Sequence, residues 1–456
     1  MIRSLFLVCV FMAFIGGGFA APFVATLGYV WVDTFRPQGV AYIILNQIPV
    51  ALVMGCAAFG SYLFSDRRYP PRMTLITGLT ITMCIWMTAT CLWAQVPDAA
   101  WSKWNWAFKT VMFSAFIPLV IRSRVQIEAF AQTFLFSLAA NFIPFGLKTM
   151  ISGGGYGRNL GLMSGDANLA EGGLLSTFCL MAIPLAFHLA KHTQIIPRLR
   201  IMPLGYLALA GLALATTIGT YERSALIGLV VMGAIMIMRS RRKILFALFA
   251  AVVAAGIIYQ TSAGWGQRMS TMEDPTADTS ALTRLLVWEW TYRFTLTHPF
   301  GGGFQSYIID RLEYPDGAVE TGRAFHSIYF EVLGEQGWPG LAMFLAIAGS
   351  TMLNLIRLSR RTRKIPELAW CADMSDALQA SLAVFLTAGA FVGIACQPPF
   401  WYFIAMSVSL REYVRRVEQP PQAEGWRARA LPMAAASASA GQPPPWRRPA
   451  LGRTAR

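Results

Sequence analysis

The stretch from Arg323 to Phe344 combines side chains that could do chemistry with the pattern of a membrane helix. His326 stands at the start of an apolar run of membrane length. Glu331 and Glu335 follow one helical turn apart, on the same face of the predicted helix. Ionisable groups are costly at membrane depth, so they mark a candidate functional site. The sequence leaves open whether the glutamates support catalysis or are paired structural groups.

Arg223, in the sequence TYERSALIGL, is a second candidate. The 15 residues from Ser224 to Met238 precede a basic cluster. As a helix they would span roughly 22 Å, less than the ~30 Å of the hydrocarbon core. The turn bearing Glu222 and Arg223 is therefore expected below the outer membrane surface. Either the two charges neutralise each other, or Arg223 faces a cavity and binds an anion.

Two further arginines are candidate anion contacts. Arg158 lies in the glycine-rich stretch 152–173, which resembles a phosphate cradle, although no predicted strand precedes it as a nucleotide-binding fingerprint requires. The alternative is a flexible outer loop. Arg284 lies in TSALTRLLVWEWTYRF, whose apolar residues recur at helical spacing. This spacing predicts an amphipathic helix on the outer surface, in which Arg284 either reaches a phosphate or belongs to the polar face.

The position of His326 at a helix start favours a role as general base. Partial positive charge at the amino end of a helix disfavours imidazolium and so favours the neutral imidazole that a base needs. A capping or interfacial histidine is the alternative. An outward-facing histidine with several arginines indicates an anionic, lipid-linked substrate, because arginine binds phosphate oxygens bidentately. Arginine can also stabilise a pyrophosphate leaving group without a metal.

The composition defines the class of protein. Of 456 residues, 55% are hydrophobic and only 13% are charged, whereas a soluble domain carries about 25% charge. Runs of roughly 20 apolar residues predict an all-α polytopic membrane protein. Basic residues cluster between these runs, as the positive-inside rule expects, so the net charge of +15 does not indicate nucleic-acid binding. The seven cysteines form no CxxC, which predicts neither a disulfide framework nor a zinc site.

The apolar runs predict about twelve transmembrane helices, with the N-terminus inside and every even-numbered span ending at a basic cluster. The first span, about 5–31, is long for one crossing and is expected to kink or break near Pro22. A loop with three tryptophans precedes span four, predicted at 107–121. The predicted segments are helices 1–5 in 1–151, helices 6–9 in 152–260, a large periplasmic loop in 261–325, helices 10–12 in 326–417, and a disordered cytoplasmic tail in 418–456.

These motifs together resemble a known family. The spacing H-x7-G-x2-G-x2-G of His326, Gly334, Gly337 and Gly340 is similar to the signature of the O-antigen ligase/polymerase superfamily. So are the ERSA sequence at Arg223 and the large outer loop between the two motifs. The length and the N-terminal third resemble the subgroup of exosortase A-associated O-glycosylation ligases. The resemblance covers roughly residues 1–415, and it departs from the family pattern at Ser327, where an asparagine is frequent.

The resemblance implies an inverting glycosyltransferase of the GT-C-like type that needs no metal or cofactor. Such an enzyme spans the bacterial inner membrane several times and transfers a glycan from undecaprenyl pyrophosphate to an acceptor hydroxyl on the periplasmic face. The acceptor would be a periplasmic protein or a glycan. His326 would be the general base, and Arg223, Arg284 and Arg158 would bind the pyrophosphate.

Three alternatives stay open. A polymerase of the same superfamily would share the donor and differ in the acceptor. A metal-dependent transferase could use an outer-loop acid such as Asp33 as its base, although that loop lacks a DxD motif or paired acids. A lipid-glycan transporter is the third alternative. Such proteins often show related halves, and no internal repeat is visible in this chain.

Overall fold

The computed structural model describes residues 2–41, 45–65, 70–152, 172–196, 201–239 and 279–419. The α-helices of these residues are, in chain order, α1 (Ile2–Ala20), α2 (Pro22–Phe35), α3 (Val50–Ser65), α4 (Leu75–Thr90), α5 (Pro97–Val120), α6 (Arg124–Ser152), α7 (Gly172–His192), α8 (Met202–Gly219), α9 (Arg223–Arg239), α10 (Thr279–Thr297), α11 (Ile328–Thr362), α12 (Ala369–Ala388) and α13 (Pro398–Glu418). Two short strands, β1 (Arg311–Glu313) and β2 (Val319–Thr321), pair antiparallel, with Leu312 opposite Glu320. The chain divides into a compact unit Met1–Val414 and a second unit Arg415–Arg456, whose described part is the end of α13.

Long apolar helices dominate the fold, because a helix satisfies its backbone polar groups internally in lipid. Seven described helical segments are long and apolar enough to cross a membrane, namely Ile2–Ala20, Leu75–Trp93, Arg124–Ile151, Gly172–His192, Met202–Gly219, Ile328–Thr362 and Pro366–Phe391. Val50–Phe64 and Arg223–Met238 are shorter apolar helices. These segments show an all-α polytopic membrane protein, as the sequence predicted. The number of twelve spans stays a prediction, and the predicted span at 244–260 lies outside the described residues.

The predicted first span consists of two helices. The helix is interrupted at Ala21, and Pro22 occupies the first turn of α2. The helices run antiparallel in close contact, since a Cβ added at Gly18 would lie 2.6 Å from that of Ala25, and one added at Gly28 would lie 2.7 Å from that of Phe14. The expected break near Pro22 is therefore confirmed. Glycines allow the two backbones to approach closely and form a hairpin.

Helix α5 begins ten residues before the predicted span four. Pro97 occupies its first turn and Asp98 provides an acid there, and both features favour a helix start. The tryptophans at 101, 104 and 106 are therefore helical residues rather than members of an interfacial loop. The correction matters because it places Lys103 on the same helix as the apolar run that follows.

Helix α7 lies at the centre of the bundle. It packs against α6, α8, α9 and α12, and nearly all its residues are buried. Every residue of α13 from Pro398 to Leu410 is also buried, including the aromatic run from Phe400 to Phe403. These helices form the hydrophobic core against which the polar segments at their ends are positioned.

Helix α11 is broken near its start. Gly337 has φ 69° and ψ −171°, a conformation that only glycine adopts readily. Pro339 follows and has no N–H to donate to the carbonyl of Glu335. The N–H of Gly303, in the connector after α10, donates to that carbonyl at 3.0 Å instead.

The connector after α10 satisfies the other backbone groups that the break exposes. Two of its bonds do so: Gly302 N–H donates to the Gly334 carbonyl at 2.9 Å, and Trp338 N–H donates to the Pro299 carbonyl at 3.0 Å. The indole N–H of Trp86, on α4, donates to the Gln336 carbonyl at 2.8 Å. A break in a membrane helix is stable only when neighbouring groups bond its free carbonyls and amides. The glycine-rich connector is therefore a structural partner of α11.

We expect Gly337→Ala to destabilise the protein by about 3 kcal/mol or more, because alanine is strained at this φ and its Cβ would lie 2.3 Å from the Pro299 carbonyl oxygen. Gly349→Ala on the same helix is the matched control. Nothing lies within 4 Å of an added Cβ there, so its effect should stay within about 1 kcal/mol. Thermal unfolding in detergent would compare the two. Equal melting temperatures would contradict the interpretation.

Candidate active site

A cavity of about 880 Å³ contains most of the charged groups that the fold brings together. It lies among the carboxyl end of α2, the amino end of α3, α5, the connector after α10, the start of α11 and the segment before α13. Its ionisable lining residues are Asp33, Arg36, Lys103, Lys109, His326, Glu331 and Glu335, with Tyr29, Cys396 and Tyr307 also on its wall. The predicted base and the two predicted glutamates thus share one cavity.

His326 is held between α10 and α11. The indole N–H of Trp288 on α10 donates to the carbonyl of Phe325 at 2.9 Å, and Phe325 is buried against Val287. Ser327 is the N-cap residue of α11. His326 therefore lies at the amino end of a helix, as the sequence predicted.

The segment that leads to His326 is tied down by Asp310. Its carboxylate accepts from the N–H of Gly322 at 2.6 Å and from the N–H of Arg323 at 3.1 Å, and so closes the base of the β1–β2 hairpin. Burial raises the pKa of the Asp310 carboxyl, although the two N–H donors act in the opposite direction. The chain that leads from the hairpin to His326 therefore starts from a fixed position.

Backbone strain concentrates around the cavity. In the described part of the chain, the non-glycine residues with positive φ are Arg36, Tyr221, Gln305 and His326, with values between 54° and 57° except for His326 at 47°. Arg36, Gln305 and His326 line the cavity, and Tyr221 lies two residues before Arg223. A left-handed backbone costs of order 1–3 kcal/mol at such residues and is typical of functional sites. The cavity wall is therefore preorganised by its surroundings.

Lys103 pairs with both glutamates. Its ammonium lies 2.6 Å from Glu331 Oε1 and 2.8 Å from Glu335 Oε1, and all three residues are buried. Two backbone amides complete the group: Gln305 N–H donates to Glu335 at 2.9 Å, and Ala395 N–H donates to Glu331 at 3.0 Å. The glutamates are thus paired, and the cluster joins α5, α11, the connector after α10 and the segment before α13.

Asp33 occupies another part of the cavity wall. The Tyr402 hydroxyl donates to its Oδ2 at 2.6 Å, and the Thr110 hydroxyl does so at 3.2 Å. The guanidinium of Arg36, three residues on, donates to Gln397 Oε1 at 3.4 Å. Within the residues that the structure describes, no group of three or more His, Cys, Asp or Glu side chains could hold a metal ion. The hydrogen-bond partners of the Asp33 carboxylate are thus the hydroxyl groups of Tyr402 and Thr110.

The amino ends of four helices reach the cavity. Val50 begins α3, Leu174 lies in the first turn of α7, Gln397 directly precedes α13, and His326 lies two residues before α11; all four residues line the cavity. Each helix amino end carries a positive partial charge of about half an elementary charge. These amino ends add positive partial charge to a cavity whose wall also includes the carboxyl end of α2 and three acidic side chains.

Of the predicted arginines, Arg223 and Arg284 are described, and neither is among the residues that line the cavity. Arg223 is half-buried and is the first residue of α9. Its neighbour Ser224 and Val392 both lie close to Gly173, at 3.7 Å and 3.1 Å from a Cβ added there. Since Leu174 and Gly393 line the cavity, Arg223 begins a helix next to its edge.

Arg284 lies on α10, one helical turn before Trp288 and on the same face. That face carries the indole that bonds the carbonyl preceding His326. The side chain is half-buried, and its enclosed Nε has no hydrogen-bond partner. The predicted helix at Arg284 is confirmed, whereas its position on the membrane surface stays a prediction. Arg158 lies outside the described residues.

Sequence reasoning missed Lys103 as the partner of the glutamates, and Arg36 and Lys109 as cavity residues. The signal for the α5 residues was a polar stripe: Ser102, Lys103, Trp106 and Lys109 recur every three or four positions in an otherwise apolar and aromatic segment. The predicted boundary at residue 107 divides the stripe, with Ser102, Lys103 and Trp106 in the predicted loop and Lys109 in the predicted span. Nothing local distinguishes Arg36 from an ordinary interfacial arginine.

Comparison with known families divides the chain in two. Residues 208–345 match the O-antigen ligase family. Residues 2–194 match a family of unknown function, DUF5935. No curated protein matches the chain. The first match supports the O-antigen ligase superfamily and a glycan-transferring enzyme of the ligase or polymerase type. It contains Arg223, Arg284, His326 and the three motif glycines, whereas Arg36, Lys103 and Lys109 belong to the other matched region.

We expect Lys103→Met to destabilise the protein by about 3–5 kcal/mol, because two buried carboxylates would lose their counter-ion. Lys109→Met on the same helix is the matched control and should cost much less, since Lys109 makes no salt bridge with the described residues. Adding Glu331→Gln and Glu335→Gln to Lys103→Met should recover part of the loss. Thermal unfolding in detergent gives the comparison. A Lys103→Met variant as stable as Lys109→Met would refute the role of the cluster.

Proposed function

We propose that this protein transfers a glycan from undecaprenyl pyrophosphate to an acceptor hydroxyl, with inversion and without a metal, and that His326 is the general base. The observation that carries the proposal is the position of His326 on a cavity surrounded by helix amino ends, within the region that matches the O-antigen ligase family. We place the reaction at the periplasmic face of a bacterial inner membrane, with a periplasmic protein or a glycan as the acceptor.

The proposed step is a single displacement. A nitrogen of neutral His326 takes the proton of the acceptor hydroxyl while its oxygen attacks the anomeric carbon of the donor. The bond from that carbon to the pyrophosphate oxygen breaks, and its electron pair leaves with the pyrophosphate. Attack opposite the leaving group inverts the anomeric configuration. Because pyrophosphate is a stable anion, its departure needs positive charge rather than a proton donor.

Arg223 and Arg284 are the proposed contacts for the pyrophosphate within the O-antigen ligase region. Arg284 carries an enclosed Nε without a hydrogen-bond partner, on a helix that bonds the backbone next to His326. Arg223 begins the helix next to the cavity edge. Guanidinium groups remain charged at any physiological pH and bind phosphate oxygens bidentately. Arg158 is kept as a third proposed contact on the resemblance alone.

A polymerase reaction is the second candidate, because the family match supports transfer of either type. In that reaction the acceptor hydroxyl belongs to a second lipid-linked glycan, and the same base and leaving group serve. The resemblance of the N-terminal third to exosortase A-associated O-glycosylation ligases favours the ligase reaction.

We expect His326→Ala to lower single-turnover transfer at least about 100-fold, as loss of a general base does. The assay uses purified undecaprenyl-pyrophosphate glycan in detergent with excess chelator, and offers a periplasmic protein extract or a second lipid-linked glycan. His298→Ala is the control, because His298 is exposed at the end of α10 and bonds Thr297. The acceptor that gains sugar separates ligase from polymerase.

Three outcomes of this assay would contradict the proposal. Full activity of His326→Ala would remove this residue as the base. Transfer abolished by the chelator in the wild type would contradict the metal-independent reaction. Movement of the donor across liposomes without any transfer would indicate a transporter.

We expect Arg223→Ala to raise the KM for the donor or to lower kcat/KM by roughly tenfold or more, because a charge-assisted hydrogen bond to phosphate is lost. Arg223→Lys should recover only part of the activity, since lysine keeps the charge and loses the bidentate geometry. Steady-state kinetics at varied donor concentration would test this. Complete rescue by lysine, or unchanged kinetics in the alanine variant, would count against a bidentate contact.

A further inference from the structure

We propose that Lys109 and Arg36, from the N-terminal region of unknown function, form an anion-binding site for a phosphate or carboxylate group of a substrate. Both residues line the cavity that contains His326. Both lie outside the region that matches the O-antigen ligase family. The inference rests on the proposed function for the identity of the substrate, but the anion site itself can be tested without it.

The charge pattern of the cavity points to Lys109. The cavity-lining cations of the described chain are Arg36, Lys103 and Lys109. Lys103 pairs with two carboxylates at 2.6 Å and 2.8 Å, so the group of three carries no net positive charge. Lys109 is half-buried, and within the described residues its ammonium makes no hydrogen bond or salt bridge. A cation on a cavity wall with three unused donors is suited to an anionic ligand.

The nearest acid does not occupy these donors. Asp33 attracts Lys109 through space, but its Oδ2 accepts the hydroxyls of Tyr402 and Thr110. Thr110 is the residue next to Lys109 on α5. The two hydroxyl bonds hold the carboxylate in place, and the Lys109 ammonium forms no salt bridge with it. Asp33 is thus a charged neighbour of Lys109 that forms no salt bridge with it.

The backbone around Arg36 supplies the second half of the site. Arg36 has φ 56° and ends α2, and the residues 48–52 at the start of α3 also line the cavity. The first turn of a helix adds positive partial charge where Arg36 adds a full one, although the N–H of Val50 already donates to the carbonyl of Ile48 at 2.8 Å. A guanidinium, an ammonium and a helix amino end on one wall provide several kinds of donor for a phosphate-like group.

Two substrates could bring such an anion to the cavity. The donor carries a pyrophosphate, and an acceptor could carry a phosphate or a carboxylate of its own. The chemistry of the contact is the same in either case. The proposed site lies on the wall built by α2, α3 and α5, in the N-terminal region, and is separate from Arg223 and Arg284.

The test measures binding of inorganic pyrophosphate to the full-length protein in neutral detergent at low ionic strength, by isothermal titration calorimetry. We expect Lys109→Gln to weaken binding roughly 10- to 100-fold, the effect of losing one charge-assisted bond. Lys364→Gln is the matched control, since Lys364 is exposed at the opposite end of α11, and it should bind as the wild type does. Equal binding by Lys109→Gln and wild type, or no binding by the wild type, would overturn the proposal.

A second measurement identifies the source of the anion. Steady-state transfer by Lys109→Gln is compared with the wild type at varied donor and at varied acceptor. A raised KM for the donor assigns the site to the pyrophosphate, and a raised KM for the acceptor assigns it to an acidic group there. Unchanged values for both would overturn the substrate role. If no transfer occurs with any donor, the proposed function fails while the pyrophosphate titration still decides the anion site.

Discussion

The position of the candidate site depends on one requirement: two buried carboxylates must be paired with an ammonium and with backbone N–H donors. Lys103 lies between Glu331 and Glu335, and two backbone amides bond the same carboxylates. An unpaired charge at this depth costs several kcal/mol, so the five groups are stable only together. Because they come from α5, α11, the connector after α10 and the segment before α13, their pairing sets the spacing of those elements. The cavity with His326 lies within this frame.

The break in α11 is the second device that the site requires, and it explains the spacing of the motif glycines. Gly337 adopts the left-handed backbone that the break needs. A Cβ at Gly334 would lie 2.6 Å from the ring of Phe325, and one at Gly340 would meet the side chain of Gln336 at 2.2 Å. The glycines therefore serve packing around the histidine rather than chemistry.

The two matched regions share one cavity, and this limits where the function can be located. The region of unknown function, 2–194, contributes Asp33, Arg36, Lys103 and Lys109. The O-antigen ligase region, 208–345, contributes His326, Glu331 and Glu335. Neither region alone encloses the site or pairs its charges. The N-terminal helices are thus part of the candidate active site and not a separate membrane anchor.

The sequence by itself determined the features that depend on local pattern. Long apolar runs required helices in lipid, one helical turn placed Glu331 and Glu335 on one face, and the polar start of α11 put His326 at a helix amino end. The tertiary structure alone decided the rest. Lys103 and Glu331 are 228 residues apart, and no local periodicity relates such distant positions. The hairpin of α1 and α2, the extended start of α5 and the cavity wall at Arg36 and Lys109 likewise follow from packing between helices, because a buried charge selects its partner from whichever helix the bundle places beside it.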